Sequence, residues 1–163
     1  MEPLHFRRRQ FLRILSSLGF GLGASGAASA LGAGEPIAVV MSSNSRQRAL
    51  SSDKLRRIFL ALPTDGDDGR RFVPLNLAQS SAVRERFDRN VLSMGPAETA
   101  RYWIDQRLRG NKPPRSVSSL ELCRRAVQEL PGAISYLPLS QVGSLRILAI
   151  DGRAPGEGGY PLK

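Results

Sequence analysis

The sequence predicts an α/β fold, a three-layer α/β/α sandwich built as one domain. Apolar runs of strand length, such as residues 37–41 and 133–137, alternate with segments whose apolar residues recur at helical spacing. Clusters of Gly, Pro, Asp and Asn separate these segments, as expected for turns. Strands that alternate with helices are typical of a largely parallel sheet covered by helices on both faces.

The first 30 residues have the three parts of a secretory signal peptide. A basic stretch at 7–9 precedes a modestly apolar run over 11–24, and residues 28–30 read Ala-Ser-Ala, which fits a cleavage site. Residues 8–13 resemble the twin-arginine consensus, with Arg13 in place of its lysine. The apolar run is shorter than the roughly 20 residues of a membrane span. An uncleaved anchor helix is the alternative to a signal cleaved near Ala30.

We therefore expect residues 1–30 to be a twin-arginine-type signal peptide and residues 31–163 to be one periplasmic domain. The chain has 24 basic and 14 acidic residues, a net charge of +10, which favours anionic ligands or membrane surfaces. Nucleic acid is a poor fit for an exported protein whose basic residues are not interleaved with aromatic ones. No stable membrane span is expected after cleavage.

Two scarce residue types restrict the chemistry. The only histidine, His5, lies in the signal segment, so His-dependent catalysis and His-ligated metal sites are excluded from the exported part. The only cysteine, Cys123, lies at a helical position typical of a small buried residue. Asp65, Asp67 and Asp68 suggest calcium, but the spacing fails the calcium-loop pattern, so a solvated turn is expected. We expect no catalytic residue, no metal and no cofactor.

Capping residues followed by apolar residues at helical spacing predict four helices. They begin near residues 51, 81, 96 and 119 and end near residues 62, 92, 108 and 130. Strands are predicted over 37–41, 72–77, 133–137 and 145–150, and Pro74 places the second strand near a sheet edge or delays its start. The third helix is expected to turn four side chains inward: Ala100, Trp103, Ile104 and Leu108.

Four segments carry a resemblance to a known family: residues 50–60, 72–87, 131–137 and 148–162. The third, Pro-Gly-Ala-Ile-Ser-Tyr-Leu, is close to a Gly-Ala-Ile-Gly-Tyr-Val strand, and the fourth ends in Gly-Tyr-Pro-Leu. The chain resembles one lobe of the phosphate-binding proteins of ABC-type phosphate transporters, which have the type II periplasmic binding protein fold. The resemblance implies a short, single-lobe relative whose residues 148–162 correspond to the segment that leads back to the other lobe.

The anion motif of that family is altered in this chain. The full-length pattern is Arg-x-Asp-x-Ser-Gly-Thr, and Ser80 aligns with its serine. Asn76 then stands at the Arg, Ala78 at the Asp, and Ser81 and Ala82 at the Gly and Thr. Both charged ligands and the Thr hydroxyl are therefore lost.

Ser80, Ser81 and Arg84 form the first candidate oxyanion site. Backbone N–H groups at a helix start favour negative charge, serine hydroxyls add donors, and Arg84 could supply a charge-assisted bond. The alternative is that Ser80 or Ser81 only caps the helix.

Ser42, Ser43 and Asn44 form the second candidate, because they follow the first strand directly. Ligands in open α/β sheets bind outside the carboxyl ends of strands, so we expect this loop and the Ser80 loop at one edge of the sheet. An ordinary polar loop is the alternative.

These observations favour a non-enzymatic, exported binding module that binds phosphate or a related oxyanion weakly, for transport or sensing. The alternative is a periplasmic adaptor that acts through contacts with a periplasmic or membrane protein, without a small ligand. One basic stretch is formed by Arg107, Arg109, Lys112 and Arg115. We expect it to be a solvated loop, and the alternative is a contact for a partner or an anionic surface.

Overall fold

The computed structural model of the chain describes residues 34–163. The strands are β1 Ile37–Met41, β2 Ala49–Leu50, β3 Val73–Leu77, β4 Arg115–Val117, β5 Ala133–Pro138, β6 Arg146–Ile147 and β7 Ala149–Ile150. The α-helices are α1 Ser52–Phe59, α2 Ala82–Phe87, α3 Pro96–Leu108 and α4 Leu120–Glu129. A π-helical segment, Asp88–Leu92, continues α2, and a 3₁₀ turn, Leu139–Gln141, follows β5.

The central sheet has the strand order β4-β3-β5-β1-β6. β3 pairs with β4 and β5 in parallel, whereas β1 pairs with β5 and β6 in antiparallel, with Ile37 opposite Pro138 and Met41 opposite Ile134. Four strands therefore run in one direction and β1 alone runs in the other. The predicted, largely parallel sheet is confirmed, with β1 as its exception.

Helices cover both faces of this sheet, so the predicted three-layer architecture is confirmed. Successive residues of a strand point to opposite faces, and β5 shows what lies on each. The Ser135 hydroxyl contacts the Cys123 thiol of α4 at 2.9 Å on one face. On the other face the Tyr136 ring stacks on Phe87 of α2, with ring centroids 3.8 Å apart, and Phe59 of α1 packs beside both.

Several predicted boundaries are confirmed and have visible causes. Ser51 caps α1 by accepting a hydrogen bond from the Lys54 N–H at 3.1 Å. Pro96 occupies the first turn of α3, where its missing N–H costs nothing. Cys123 is fully buried, as expected.

Other sequence predictions are wrong. The segment 145–150 is two short strands in two different sheets, β6 and β7. α1 ends at Phe59, and the predicted helical residue Leu62 is 39% exposed. β3 is an interior strand, so its predicted placement near a sheet edge is wrong. The alternative, a late start caused by Pro74, agrees with the structure, because β3 begins at Val73 and pairs with β4 only from Leu75 onward.

In α3, only Trp103 of the four residues expected inside is buried. Ile104 is 57% exposed and Leu108 is 84% exposed, and Ala100 is also exposed. The helix has apolar residues on both faces, so periodicity alone did not indicate the side that packs against the core.

The predicted signal peptide and its cleavage site lie outside the described residues. Within residues 34–163, no helix is both long and apolar enough to cross a bilayer. The same part of the chain contains no cluster of His, Cys, Asp and Glu that could hold a metal ion.

Candidate functional site

Two serine pairs follow neighbouring parallel strands at one end of the sheet. β3 and β4 are in register with Leu77 opposite Val117, and their chains continue into Ser80-Ser81 and Ser118-Ser119 respectively. We call these four serines the serine edge. Parallel strands end at the same edge of a sheet, so the two pairs lie at the same end.

Each serine pair begins a helix, and one serine of each pair is its cap. Ser81 Oγ accepts from the Arg84 N–H at 3.5 Å, and Ser119 Oγ accepts from the Leu122 N–H at 3.2 Å. Ser81 therefore caps α2, as the sequence suggested for Ser80 or Ser81. Ser80 and Ser118 are exposed at the same two turns. Helix starts carry a partial positive charge and spare N–H donors, and both favour anions.

The two helices leave adjacent strands toward opposite faces of the sheet. α2 packs against Tyr136 and α4 packs against Ser135, which point away from each other. The serine edge is therefore a topological switch point, the kind of position at which open α/β sheets bind ligands.

Arg84, the predicted cationic ligand, points into the protein instead. Its side chain is 9% exposed, and its Nε lies 2.7 Å from Asp88 Oδ2. Its Nη1 donates to the Leu77 carbonyl at 3.1 Å. Burial raises the pKa of Asp88, and the Arg84 charge works against this rise. Arg84 is a structural partner of Asp88, so its predicted position beside an anion is wrong.

Asn76, which stands where the family pattern has Arg, belongs to the same buried cluster. With its amide oxygen toward Arg84, it accepts from both terminal guanidinium nitrogens at 3.2 Å and donates to Tyr136 Oη at 3.2 Å. Asn76 is only 3% exposed, and burial raises the pKa of Tyr136 far above its ordinary value. Most polar groups below the serine edge therefore pair with one another in the core, although Asp88 Oδ1 has no partner among the described residues.

Charged groups from the two ends of the described chain also lie at this end of the sheet. The Arg86 guanidinium donates to the carbonyls of Glu35 and Lys163. The Ser140 N–H donates to Glu35 Oε1 at 2.7 Å. Hydrogen bonds from the side chain and the backbone of Ser140 lower the pKa of Glu35. Since β1 begins here, Ile37 N–H also donates to the Leu162 carbonyl at 2.9 Å.

Ser42, Ser43 and Asn44 lie at the opposite end of the sheet. β1 runs against β3 and β5, so its last residue, Met41, is opposite Ile134 at the start of β5. The prediction that both loops share one edge is therefore wrong. The carboxyl end of a strand coincides with those of its neighbours only when the strands are parallel.

Ser42 and Asn44 line a cavity of about 480 Å³ at that opposite end. Much of the polar surface around it is already satisfied within the chain. The Ser43 hydroxyl pairs with the Gln128 amide at 3.1–3.3 Å, and Gln47 Nε2 donates to Asp67 Oδ2 at 2.8 Å. The cavity also has both signs of charge, from Arg46, Arg70, Asp68 and Glu129.

No protein-family model matches this sequence, and no curated protein matches it either. Solved structures match the fold, and three of them show the extent of the likeness. A putative phosphate ABC transporter substrate-binding protein with bound phosphate from Clostridium perfringens has TM-score 0.60 and 18% identity, over 73% of this chain and 46% of that one. An ABC-type phosphate transport receptor from Vibrio cholerae has TM-score 0.60 and 13% identity, over 74% of this chain and 48% of that one. PstS from Borrelia burgdorferi has TM-score 0.62 and 14% identity, over 78% of this chain and 54% of that one.

The chain has the fold of one lobe of these binding proteins. It spans about half of the length of the structures it matches. At 13–18% identity the likeness concerns the fold, and it confirms the resemblance in architecture that the sequence predicted.

Sequence reasoning missed Ser118 and Ser119 as members of a site. The sequence indicates them only as possible helix caps, because the preceding strand, Arg115-Ser116-Val117, is short and polar and shows no strand pattern. The signal for these serines is a helix cap two residues after a strand that runs parallel to β3. It can be recognised only after that strand has been identified.

Proposed function

We propose that this protein is an exported, non-enzymatic binding module that binds phosphate or a related oxyanion weakly at the serine edge. The observation that carries the proposal is the pair of serine-capped helix starts at the ends of two adjacent parallel strands. Four hydroxyls and two helix N-termini offer hydrogen-bond donors and partial positive charge to one small anion. The match to phosphate-binding proteins of known structure supports this choice of ligand class.

The position of the serine edge also supports the proposal. In the two-lobed proteins that the sequence resembles, the segment corresponding to residues 148–162 leads to the other lobe. Here that segment ends at Leu162, beside Ile37 and at the same end of the sheet as Ser80. The serine edge would therefore face the second lobe of such a protein.

The same geometry argues for low affinity. Arg84 pairs with Asp88 inside the core, Asn76 and Ala78 replace the charged residues of the family pattern, and the Glu35 carboxylate lies at the same end. We expect a dissociation constant of about 1 mM or weaker. This corresponds to a binding free energy of about −4 kcal/mol or one less favourable. Such a site suits weak oxyanion binding for transport or sensing.

The location and processing of the protein belong to the same proposal. A twin-arginine signal cleaved near Ala30 would deliver a folded domain, residues 31–163, to the periplasm, and a domain with only one cysteine needs no disulfide there. The basic residues at 7–9 and the apolar run that follows support this assignment.

A thermal-shift titration tests the proposed site. Phosphate or sulfate should raise the melting temperature relative to chloride at equal ionic strength, and Ser80→Ala combined with Ser118→Ala should abolish the rise. Ser42→Ala is the matched control at the opposite end and should leave the rise unchanged. Loss of the rise in Ser42→Ala alone would instead place the anion at Ser42, Ser43 and Asn44, and micromolar affinity by calorimetry would contradict weak binding.

A further inference from the structure

The outward face of α3 carries an apolar stripe that no other part of residues 34–163 covers. Ile104 is 57% exposed and Leu108 is 84% exposed. Ala97 and Ala100 are also exposed and precede them at helical spacing. Residues three and four apart share one side of a helix, so these four side chains form one continuous surface.

The opposite side of α3 is the one that packs. Thr99 is 4% exposed and Trp103 is 7% exposed, and the Tyr102 hydroxyl donates to the Leu60 carbonyl at 3.1 Å. The helix is therefore fixed by its inner side, and its outer apolar side contributes nothing to the core. A single exposed leucine is ordinary, but a stripe along one side of a helix is typical of a contact surface.

Basic residues surround the stripe and the loop that follows it. Arg101 and Arg107 flank Ile104 and Leu108 on the helix, and three further cations follow the helix along the chain: Arg109, Lys112 and Arg115. All five are exposed, and within residues 34–163 none of them forms a salt bridge. Only Glu98 and Asp105 oppose them on α3.

We propose that this surface, which we call the α3 patch, docks the protein onto an anionic phospholipid membrane. A basic rim around exposed aliphatic side chains matches the two layers of such a membrane, with anionic headgroups outside and acyl chains below. A second copy of the chain is a poor occupant. An antiparallel contact centred on Ile104 would bring Arg101 of one copy against Arg107 of the other.

The geometry assigns distinct functions to the two kinds of residue. Leu108, at the most exposed point of the stripe, enters the headgroup–acyl boundary, and Ile104 lies beside it. Arg107, Arg109 and Lys112 contact lipid phosphates. Docking therefore depends on anionic lipid and weakens with salt, because charges at an exposed surface are screened.

A site-specific label separates docking at the α3 patch from any membrane contact by residues 1–33. The full chain carries Leu108→Cys with an environment-sensitive maleimide dye, and the buried Cys123 stays unlabelled. We expect a blue shift of the dye on vesicles of phosphatidylglycerol and none on vesicles of phosphatidylcholine, with the shift lost at high salt. The matched control is Leu122→Cys on α4, where the native side chain is 48% exposed, and it should show no shift.

Charge variants then test the basic rim. Arg107→Gln and Arg109→Gln should each weaken binding to phosphatidylglycerol vesicles about fivefold, as expected for one cation near a membrane surface. Arg125→Gln, an exposed arginine of α4, is the control and should change binding little. No blue shift at position 108 on anionic vesicles overturns the proposal, and so does an equal shift on neutral ones. A photocross-linker at position 108 that captures a protein, in the absence of vesicle binding, also overturns it and assigns the α3 patch to a protein partner.

Discussion

The two ends of the central sheet differ in which of their polar groups are hydrogen-bonded within the protein. At the serine edge, the buried charges and amide below the surface are paired with each other, and exposed hydroxyls remain at two helix starts. At the other end, Ser43 and Gln47 pair with Gln128 and Asp67 around a cavity of about 480 Å³. The two ends therefore offer different groups to an anion: hydroxyls at two helix starts at one end, and side chains of both charge signs around a cavity at the other.

The direction of a single strand separates these two ends. Had β1 run parallel to β5, its polar loop would have joined Ser80 and Ser81 at one edge. Because β1 runs in the opposite direction, Ser42 and Asn44 are a sheet length away. Four predictions test or sharpen this comparison.

The largest effect is expected for Asp88→Ala, which leaves the Arg84 guanidinium buried without its counterion. Breaking a buried ion pair from one side costs about 3 kcal/mol or more of the free energy of unfolding. Chemical denaturation measures the loss. Glu85→Ala is the control, because its pair with Arg89 is exposed, and it should cost less than about 0.5 kcal/mol. Equal losses in both variants would mean that Arg84 is not a core residue.

At the opposite end, Gly132→Ala should destabilise the turn before β5. Gly132 has φ +76°, and an added Cβ would lie 2.6 Å from the Arg71 carbonyl oxygen. We expect a loss of about 2 kcal/mol from the strained backbone, measured as a lower denaturation midpoint. Gly158→Ala, where an added Cβ meets nothing within 4 Å, should be nearly neutral. A neutral Gly132→Ala would show that the cavity end tolerates backbone movement.

Within the serine edge, the capping serines should differ from their neighbours. Ser119→Ala removes the acceptor for the Leu122 N–H and should cost about 1 kcal/mol of stability. Ser118→Ala should change stability by less than half of that, yet it should weaken phosphate binding. Comparing thermal unfolding with phosphate titration separates capping from binding, and parallel losses of both properties in Ser118→Ala would contradict the assignment.

The smallest effect concerns pH. Hydrogen bonds from Ser140 lower the pKa of Glu35 below its ordinary value of 4.5. This contribution to stability is therefore present above pH 4.5 and lost as the pH falls through the lowered value. Wild type should lose slightly more stability between pH 6 and pH 3 than Glu35→Gln does. An identical pH dependence of the two melting temperatures would mean that the Glu35 contact is absent in solution.

Much of the fold could be predicted from the sequence, because strands such as Ile37–Met41 and caps such as Ser51 and Ser119 are local signals. The parts that could not be predicted depend on tertiary context. The direction of β1 has no local signature, and β4 is too short and polar to show a strand pattern. In the candidate site, Ser81 could be identified as a cap. The burial of Arg84 could not be predicted. Arg84 and its partner Asp88 are both charged, so neither position shows the apolar residue by which a buried helix face is identified.

The most direct test of the proposed function is a titration of the ¹⁵N-labelled protein with phosphate, followed by amide NMR. We predict concentration-dependent shifts at Ser80, Ser81, Ser118 and Ser119 that fit one millimolar or weaker dissociation constant, with Ser42 to Asn44 unmoved. Shifts confined to Ser42 to Asn44, or no shifts at the serine edge at tens of millimolar phosphate, would contradict the account.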